Sequence, residues 1–287
     1  MKSAKFYLSF FILLIINHAA KAQDSLLTAA VRELPKKKTT FTIGTSYLPK
    51  LHFYGRTDSL KSTALAPNAL LQFGNGIYFS STVILLNNTQ IPMQYGATIA
   101  GAGYRFGKTK GIAGSVYGDL FFYANKDLVQ SSQKGQAGYT LSYLNPVLNI
   151  NNNSSVVFSD NNDFFTSAGV DHPFRFVTGK SVFVIIPAFN ANAGTQNFTN
   201  TYYKTRNING IPIPPEQVTE TSKRFNLLSY EFSVPVVFVH NKLALSLTPG
   251  YVIPQSVIKV QGRPDLSENA KNLFYANVGV FYTIGKK

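Results

Sequence analysis

From Phe41 onward the chain alternates apolar and polar residues in segments of roughly ten to fifteen, the period of two that marks strands with one buried face. Phe225 to Val239 shows it most clearly: Leu228, Tyr230, Phe232, Val234, Val236 and Phe238 fall on one face, and Ser229, Glu231 and Ser233 on the other. Leu243, Leu245, Leu247, Tyr251 and Ile253 alternate with Ala244, Ser246, Thr248 and Gly250 in the same way. So do Phe274, Ala276, Val278, Val280, Tyr282 and Ile284 with Tyr275, Asn277 and Gly279. Helical periodicity is almost absent.

The separators alternate too, in length. Short turns fall at Gly74-Asn75-Gly76, Lys108 to Gly111, Asn145-Pro146, Thr178 to Ser181 and His240-Asn241-Lys242. Longer connections fall at Arg56 to Ser62, Asn87 to Met93, Lys126 to Gln136, Ser159 to Asn162, Thr199 to Arg224 and Lys259 to Asn272. This short and long rhythm is that of an outer-membrane barrel, with periplasmic turns on one rim and external loops on the other. The expected fold is all-β: an antiparallel up-and-down transmembrane β-barrel of about twelve strands over 39–287, with both termini periplasmic. A soluble β-sandwich also alternates, but its strands average about five or six residues. Crossing a membrane takes about nine to eleven, which these segments supply. Pro49, Pro67, Pro187, Pro235, Pro249 and Pro254 lie within or at the ends of strands, so they are expected at bulges or rims.

Composition adds the compartment. Lys2 and Lys5 precede an apolar run from Phe6 to Ile16 and then Ala19, Ala20 and Ala22, a secretory signal peptide over 1–22 that is too short to be a membrane anchor. The absence of cysteine excludes a lipoprotein and fits a Gram-negative envelope. The 23 Phe and 16 Tyr coexist with a mean hydropathy of +0.00 because a membrane strand shows lipid only every second side chain. Residues 23–38 read as a periplasmic segment that is either frayed or a short cap on the mouth.

The formal charge of +14 sits largely in turns and loops, at residues such as Arg56, Lys61, Lys134, Arg224 and Lys271. There it would meet lipopolysaccharide phosphates or steer anionic solutes. An exported chain with no basic helix offers no footprint for nucleic acid. With the apolar faces toward lipid, the lumen is expected to be lined by mostly small polar side chains. Those include Thr42, Ser46, Asn68, Thr82, Ser246, Thr248 and Asn277, which fit either a narrow hydrated passage or a hydrogen-bonded polar core. The lumen carboxylates Asp119, Asp171 and Glu231 require partners, for which Arg105 and Arg175 are candidates. In the longest connection Tyr202, Tyr203, Lys204 and Arg206 form a candidate loop-binding cluster.

Catalysis by a Ser-His-acid group would draw on His52 near the external rim, His172 low on a strand or His240 in a periplasmic turn, none with a partner evident at its level. No metal-ligand spacing and no phosphate-binding glycine loop occur. The reading is therefore not an enzyme, with no cofactor.

Together the signal sequence, SYEFSVPVVF from Ser229, SLTPGYVIPQ from Ser246 and AGTQNFTNTYYK from Ala193 resemble Bacteroidota-type outer-membrane β-barrel, porin-like proteins. The resemblance implies a barrel in the cell outer membrane, inserted by the outer-membrane assembly machinery, and transfers no site residue. The ending at Ile284-Gly285-Lys286-Lys287 departs from the usual aromatic terminus of such barrels. Two functions are expected from these readings. One is a porin-like passage for small solutes, with a basic mouth favouring anions. The other is a non-conducting structural or binding barrel that acts through its external loops.

Overall fold

The computed structural model describes residues 38–57, 61–89, 92–107, 109–123, 133–159, 162–204, 207–208, 211–212, 216–257 and 270–285. The side chains of 196–223 are outside that description, as are the signal-peptide stretch and all but the last residue of 23–38.

Twelve antiparallel strands form a closed barrel. They are β1 (Thr40–Leu48), β2 (Thr63–Gln72), β3 (Ile77–Asn87), β4 (Gln94–Gly107), β5 (Gly111–Tyr123), β6 (Gly135–Leu144) and β7 (Asn149–Phe158). Then come β8 (Asp163–Asp171, resumed as Phe174–Thr178), β9 (Ser181–Ile185, resumed as Ala188–Lys204) and β10 (Glu216–Ser233, resumed as Val236–His240). β11 (Leu243–Pro254) and β12 (Leu273–Gly285) complete the wall. Each strand pairs with its sequence neighbours, and β12 closes on β1 from Thr40↔Gly285 to Tyr47↔Val278. No edge is left around mid-wall, which is how a sheet satisfies its backbone in lipid, and at the short-turn end Phe174–Thr178 pairs with β9 alone.

The alternation decides which way each strand faces. Leu245, Leu247, Val278, Val280 and Tyr282 point outward and are 41 to 45 % exposed, while Ser246, Thr248, Asn277 and Gly279 between them are buried. Similar outward rows run along β1, β3, β5 and β6, giving a continuous apolar belt that suits acyl chains rather than water.

Four features depart from the expected pattern. First, Leu228 does not face outward with Tyr230. A bulge between Asn192 and Ala193 shifts the β9–β10 register, and Leu228 turns into the interior, fully buried. Second, Thr199 to Arg224 is not simply a loop. β9 and β10 pair from Ala188↔Ser233 to Lys204↔Glu216, whereas β8 reaches only Gly194 and β11 only Ser229, so the two strands project as a ribbon past the rest of the wall. Third, the interior is not mainly small and polar, because a large apolar cluster occupies the long-loop end.

Fourth, Pro49 and Pro254 lie at strand ends as expected, but no proline marks a bulge. Pro187 and Pro235 lie where β9 and β10 break, Pro173 lies where β8 breaks, and Pro249 is within unbroken β11. The register is unchanged across the breaks, since Asp171↔Ala188 continues as Phe174↔Ile185, and Ala188↔Ser233 resumes as Ile185↔Val236. The breaks therefore line up as a crease across β8 to β11. It is bridged by His172 N–H to the Pro187 carbonyl (3.2 Å), Ile186 N–H to that of Pro235 (2.8 Å) and Val234 N–H to that of Pro249 (3.0 Å). Each reciprocal bond is missing because proline has no N–H.

Candidate functional site

After β1 the chain does not leave the barrel as an external loop. Pro49 ends the strand, and Leu51, Phe53 and Tyr54, too apolar for the rim, turn inward. His52–Phe53 and Arg56–Thr57 pair as a small hairpin, with Phe53↔Arg56 flanking the two-residue turn Tyr54-Gly55. Both turn residues are left-handed, φ 49° and 83°, the mirror-image turn whose twist matches the strands it joins. Glycine takes that conformation freely; a tyrosine there is strained and must be held by its surroundings. Tyr54 is held: it is buried, with ring centroids 4.5 Å from Phe53 and 6.4 Å from Phe165.

The hairpin crosses the lumen. On one side Leu51, Phe53 and Tyr54 join Ile84, Ile99, Phe121, Phe165 and Leu228 in a single apolar cluster drawn from β3, β4, β5, β8 and β10. Opposite, the His52 ring lies 4.7 Å from that of Tyr275 on β12. At the tip Gly55 abuts Pro254 on β11, whose ring atoms would be 3.0 to 3.2 Å from any Cβ added there. Arg56, only 3 % exposed, fastens the far side. Its Nη1 donates to the carbonyls of Tyr54 (3.3 Å) and Leu228 (3.2 Å), and its Nη2 to those of Gln255 (2.9 Å) and Ser256 (3.3 Å). Arg56 is thus not one of the solvent-facing cations expected at the mouth. Burial, with Lys50 nearby adding to it, holds the His52 imidazole down to about 4, so it is neutral at physiological pH.

The inner wall beyond the hairpin carries the candidate carboxylates, and the structure gives them neutral donors. The Gln136 amide donates to Asp119 (2.7 Å), Asn149 and Asn151 donate to Asp171 (2.6 and 2.5 Å), and Tyr275 and Asn192 donate to Glu231. Arg105, one proposed counter-charge, donates to Gln72 (2.5 Å) and stacks 4.7 Å over the Tyr78 ring. Arg175, the other, is exposed beyond the break in β8 at the short-turn end, paired with Val184, where it joins none of these groups. Amides and phenols, adjacent across the ladders, reach the carboxylates where the more distant guanidinium groups do not.

Tyr202, Tyr203 and Lys204 lie on the projecting part of β9, and Arg206 is outside the described residues. Of the histidines, His240 does have a partner: its Nδ1 and the Ser181 hydroxyl are 2.8 Å apart at the short-turn rim. Among the described residues no three His, Asp or Glu side chains are grouped to hold a metal. The sequence reading placed the connection at Arg56 to Ser62 and missed the hairpin, although Leu51, Phe53 and Tyr54 just ahead of it were its signal.

No family model matches the chain, and no curated protein matches it. Among solved structures the chain is similar to the NanC porin, at 12 % identity over 84 % of this chain and 98 % of that one, TM-score 0.44. It is similar also to an outer membrane channel from Pseudomonas putida F1, at 11 % identity over 87 % and 96 %, TM-score 0.46. The KdgM porin is a third, at 11 % identity over 85 % and 98 %, TM-score 0.40.

Proposed function

We propose that this chain is an outer-membrane barrel, delivered by its N-terminal signal peptide, and a porin-like passage for small solutes whose bore is set by the inward hairpin His52–Thr57. One observation carries the reading: the hairpin packs on Ile84, Ile99, Phe121 and Phe165 of β3, β4, β5 and β8 while Arg56 fastens it to carbonyls of β10 and of the connection after β11, so it fills the aperture instead of leaving it. A solute must pass this layer before meeting Asp119, Asp171 and Glu231 on the inner wall. The exposed cations Lys61, Lys134, Arg224 and Lys271 remain at the long-loop end, where they suit lipopolysaccharide phosphates and steer anions to the mouth.

The test is single-channel recording in planar bilayers, comparing the native chain with one in which a short Gly-Ser linker replaces residues 51–57. The native barrel is expected to give small steps and the shortened one steps several-fold larger, with reversal potentials under a salt gradient reporting the anion preference. A shortened barrel that is folded and heat-modifiable yet silent sinks the passage. That outcome favours the second reading, a non-conducting barrel acting through its loops, which the apolar layer at the long-loop end supports.

A further inference from the structure

We infer that the rim where the β8–β9 and β10–β11 turns meet is a docking site for the headgroup of an anionic phospholipid. The inference rests on the reading of the chain as a membrane barrel, and not on that barrel's being a passage. It concerns the end opposite the hairpin and the lipopolysaccharide-facing cations.

The ladders place the site. Thr178↔Ser181, Ser181↔His240, His240↔Leu243 and Leu243↔Tyr282 are successive partners, so these residues form one row across β8 to β12 beside the short turns. The next row toward mid-wall on the same face is Phe176, Phe183, Phe238, Leu245 and Val280. Its members are 38 to 56 % exposed and belong to the outward belt, with the Phe176 and Phe183 ring centroids 6.4 Å apart. Along β8, β9 and β10 the outward face thus passes from phenyl rings to two hydroxyls and an imidazole within two residues. A bilayer passes from acyl chain to headgroup over a similarly short step. At the short turns after β2, β4 and β6 the outward positions stay apolar up to the tip, at Ile77, Ile112 and Ile150.

Charge collects at the same place. The two turns contribute Lys180 and Lys242, both exposed, and the Asn241 N–H donates to the Lys180 carbonyl (3.4 Å), so the turns abut. His240 Nδ1 and the Ser181 hydroxyl, 2.8 Å apart, fix the imidazole beside them; with the hydroxyl donating, the ring proton is on Nε2. Residues 174–185, 236–247 and 280–285 hold no carboxylate to offset these cations. Two ammonium groups with hydroxyl and imidazole donors are complementary to phosphate oxygens, and the phenyl row against them is complementary to acyl chains. That conjunction selects a phospholipid over a free anion.

The chain has no tryptophan, so Leu245→Trp puts a single fluorophore in the apolar row next to the site. The full chain is folded into phosphatidylcholine bilayers, and brominated phosphatidylglycerol or brominated phosphatidylcholine is titrated in as quencher. At Leu245→Trp the anionic lipid is expected to be preferred about tenfold, and at Ile150→Trp, beside the β6–β7 turn, about equally with phosphatidylcholine. Lys180→Gln with Lys242→Gln is expected to bring the preference at Leu245→Trp close to that at Ile150→Trp, and Ser181→Ala with His240→Phe to lower it about threefold. If Leu245→Trp does not fold, Val280→Trp, its partner on β12, reads the same row.

A preference that is equal at the two reporters, or that the lysine replacements leave unchanged, overturns the site. Displacement of the brominated lipid by inorganic phosphate, and not by chloride at the same ionic strength, overturns the lipid as its occupant. Absence of quenching by either brominated lipid in a folded, heat-modifiable barrel overturns instead the reading of the outward rows as a membrane belt, and the site with it.

Discussion

At Arg56 a guanidinium that charge counting assigns to solvent is almost fully buried and donates to four carbonyls, two of them in the connection that follows β11. Its planar fork is what lets one side chain serve both Leu228 on β10 and Gln255 after β11, so a point-charge ammonium is a poor substitute. Arg56→Met removes this donor from all four carbonyls, of which that of Leu228 keeps the Gln255 N–H, and is expected to cost the docked hairpin about 2 to 4 kcal/mol, with Arg56→Lys recovering little of it. Limited proteolysis at 51–57 and a rise in conductance read the release. His52 adds a pH dependence whose sign follows from its depressed value. The docked form prefers the neutral ring, so its stability is whole above the unfolded value near 6.5 and declines as pH falls from there toward 4. Below that it has lost roughly 3 kcal/mol. Acid is therefore expected to loosen the hairpin, seen as larger conductance and faster cleavage at pH 4.5 than at 7, with His52→Phe flattening the response. Unchanged behaviour of the native chain over that range would count against a docked, neutral His52.

The strands behave as alternation requires, and this gives a sharp contrast within β11. Leu247 faces the belt and is expected to lose about 2 to 4 kcal/mol of folding stability as Arg, whereas an outward position near a rim, such as Leu243, loses about 1 or less. Urea titrations in lipid measure both. Twelve strands, their facing and the closure of β12 on β1 were legible because a period of two reports on each segment locally. The bulge at Leu228 was not, since one added residue leaves the apolar alternation of Phe225 to Val239 intact on paper while reversing its end in space. The partners of Asp119, Asp171 and Glu231 were misassigned for a related reason: ladder registers, which no single strand encodes, bring Gln136, Asn149, Asn151 and Tyr275 within reach. The prolines were seen but their alignment was not, because it exists only once β8 to β11 are laid side by side.

On the scale of the molecule the lumen is stratified, apolar at the hairpin, polar in mid-wall, and apolar again at the short-turn end, at Val184, Ile186 and Val237. A loop that folds inward has to be packed by strands distant in sequence, and Phe165, 111 positions after Tyr54 by residue number, is the side chain on which its rings converge. Phe165→Ala is expected to cost about 3 to 5 kcal/mol, and the loss to fall when 51–57 has already been removed. A double-mutant comparison of unfolding midpoints reads this coupling. The ribbon that β9 and β10 send past the wall has another use. From Thr195↔Phe225 to Lys204↔Glu216 those strands pair only with each other, and a lone two-stranded ribbon has little stability of its own in water. A break in the backbone between Lys204 and Glu216 cuts no strand pairing of the wall, so the barrel is expected to assemble from two polypeptides, one supplying nine strands and the other three. Co-expressed fragments divided there are expected to run as one folded species on a cold gel and as two bands after boiling, which makes the tip of the ribbon a place to insert a reporter or a foreign epitope.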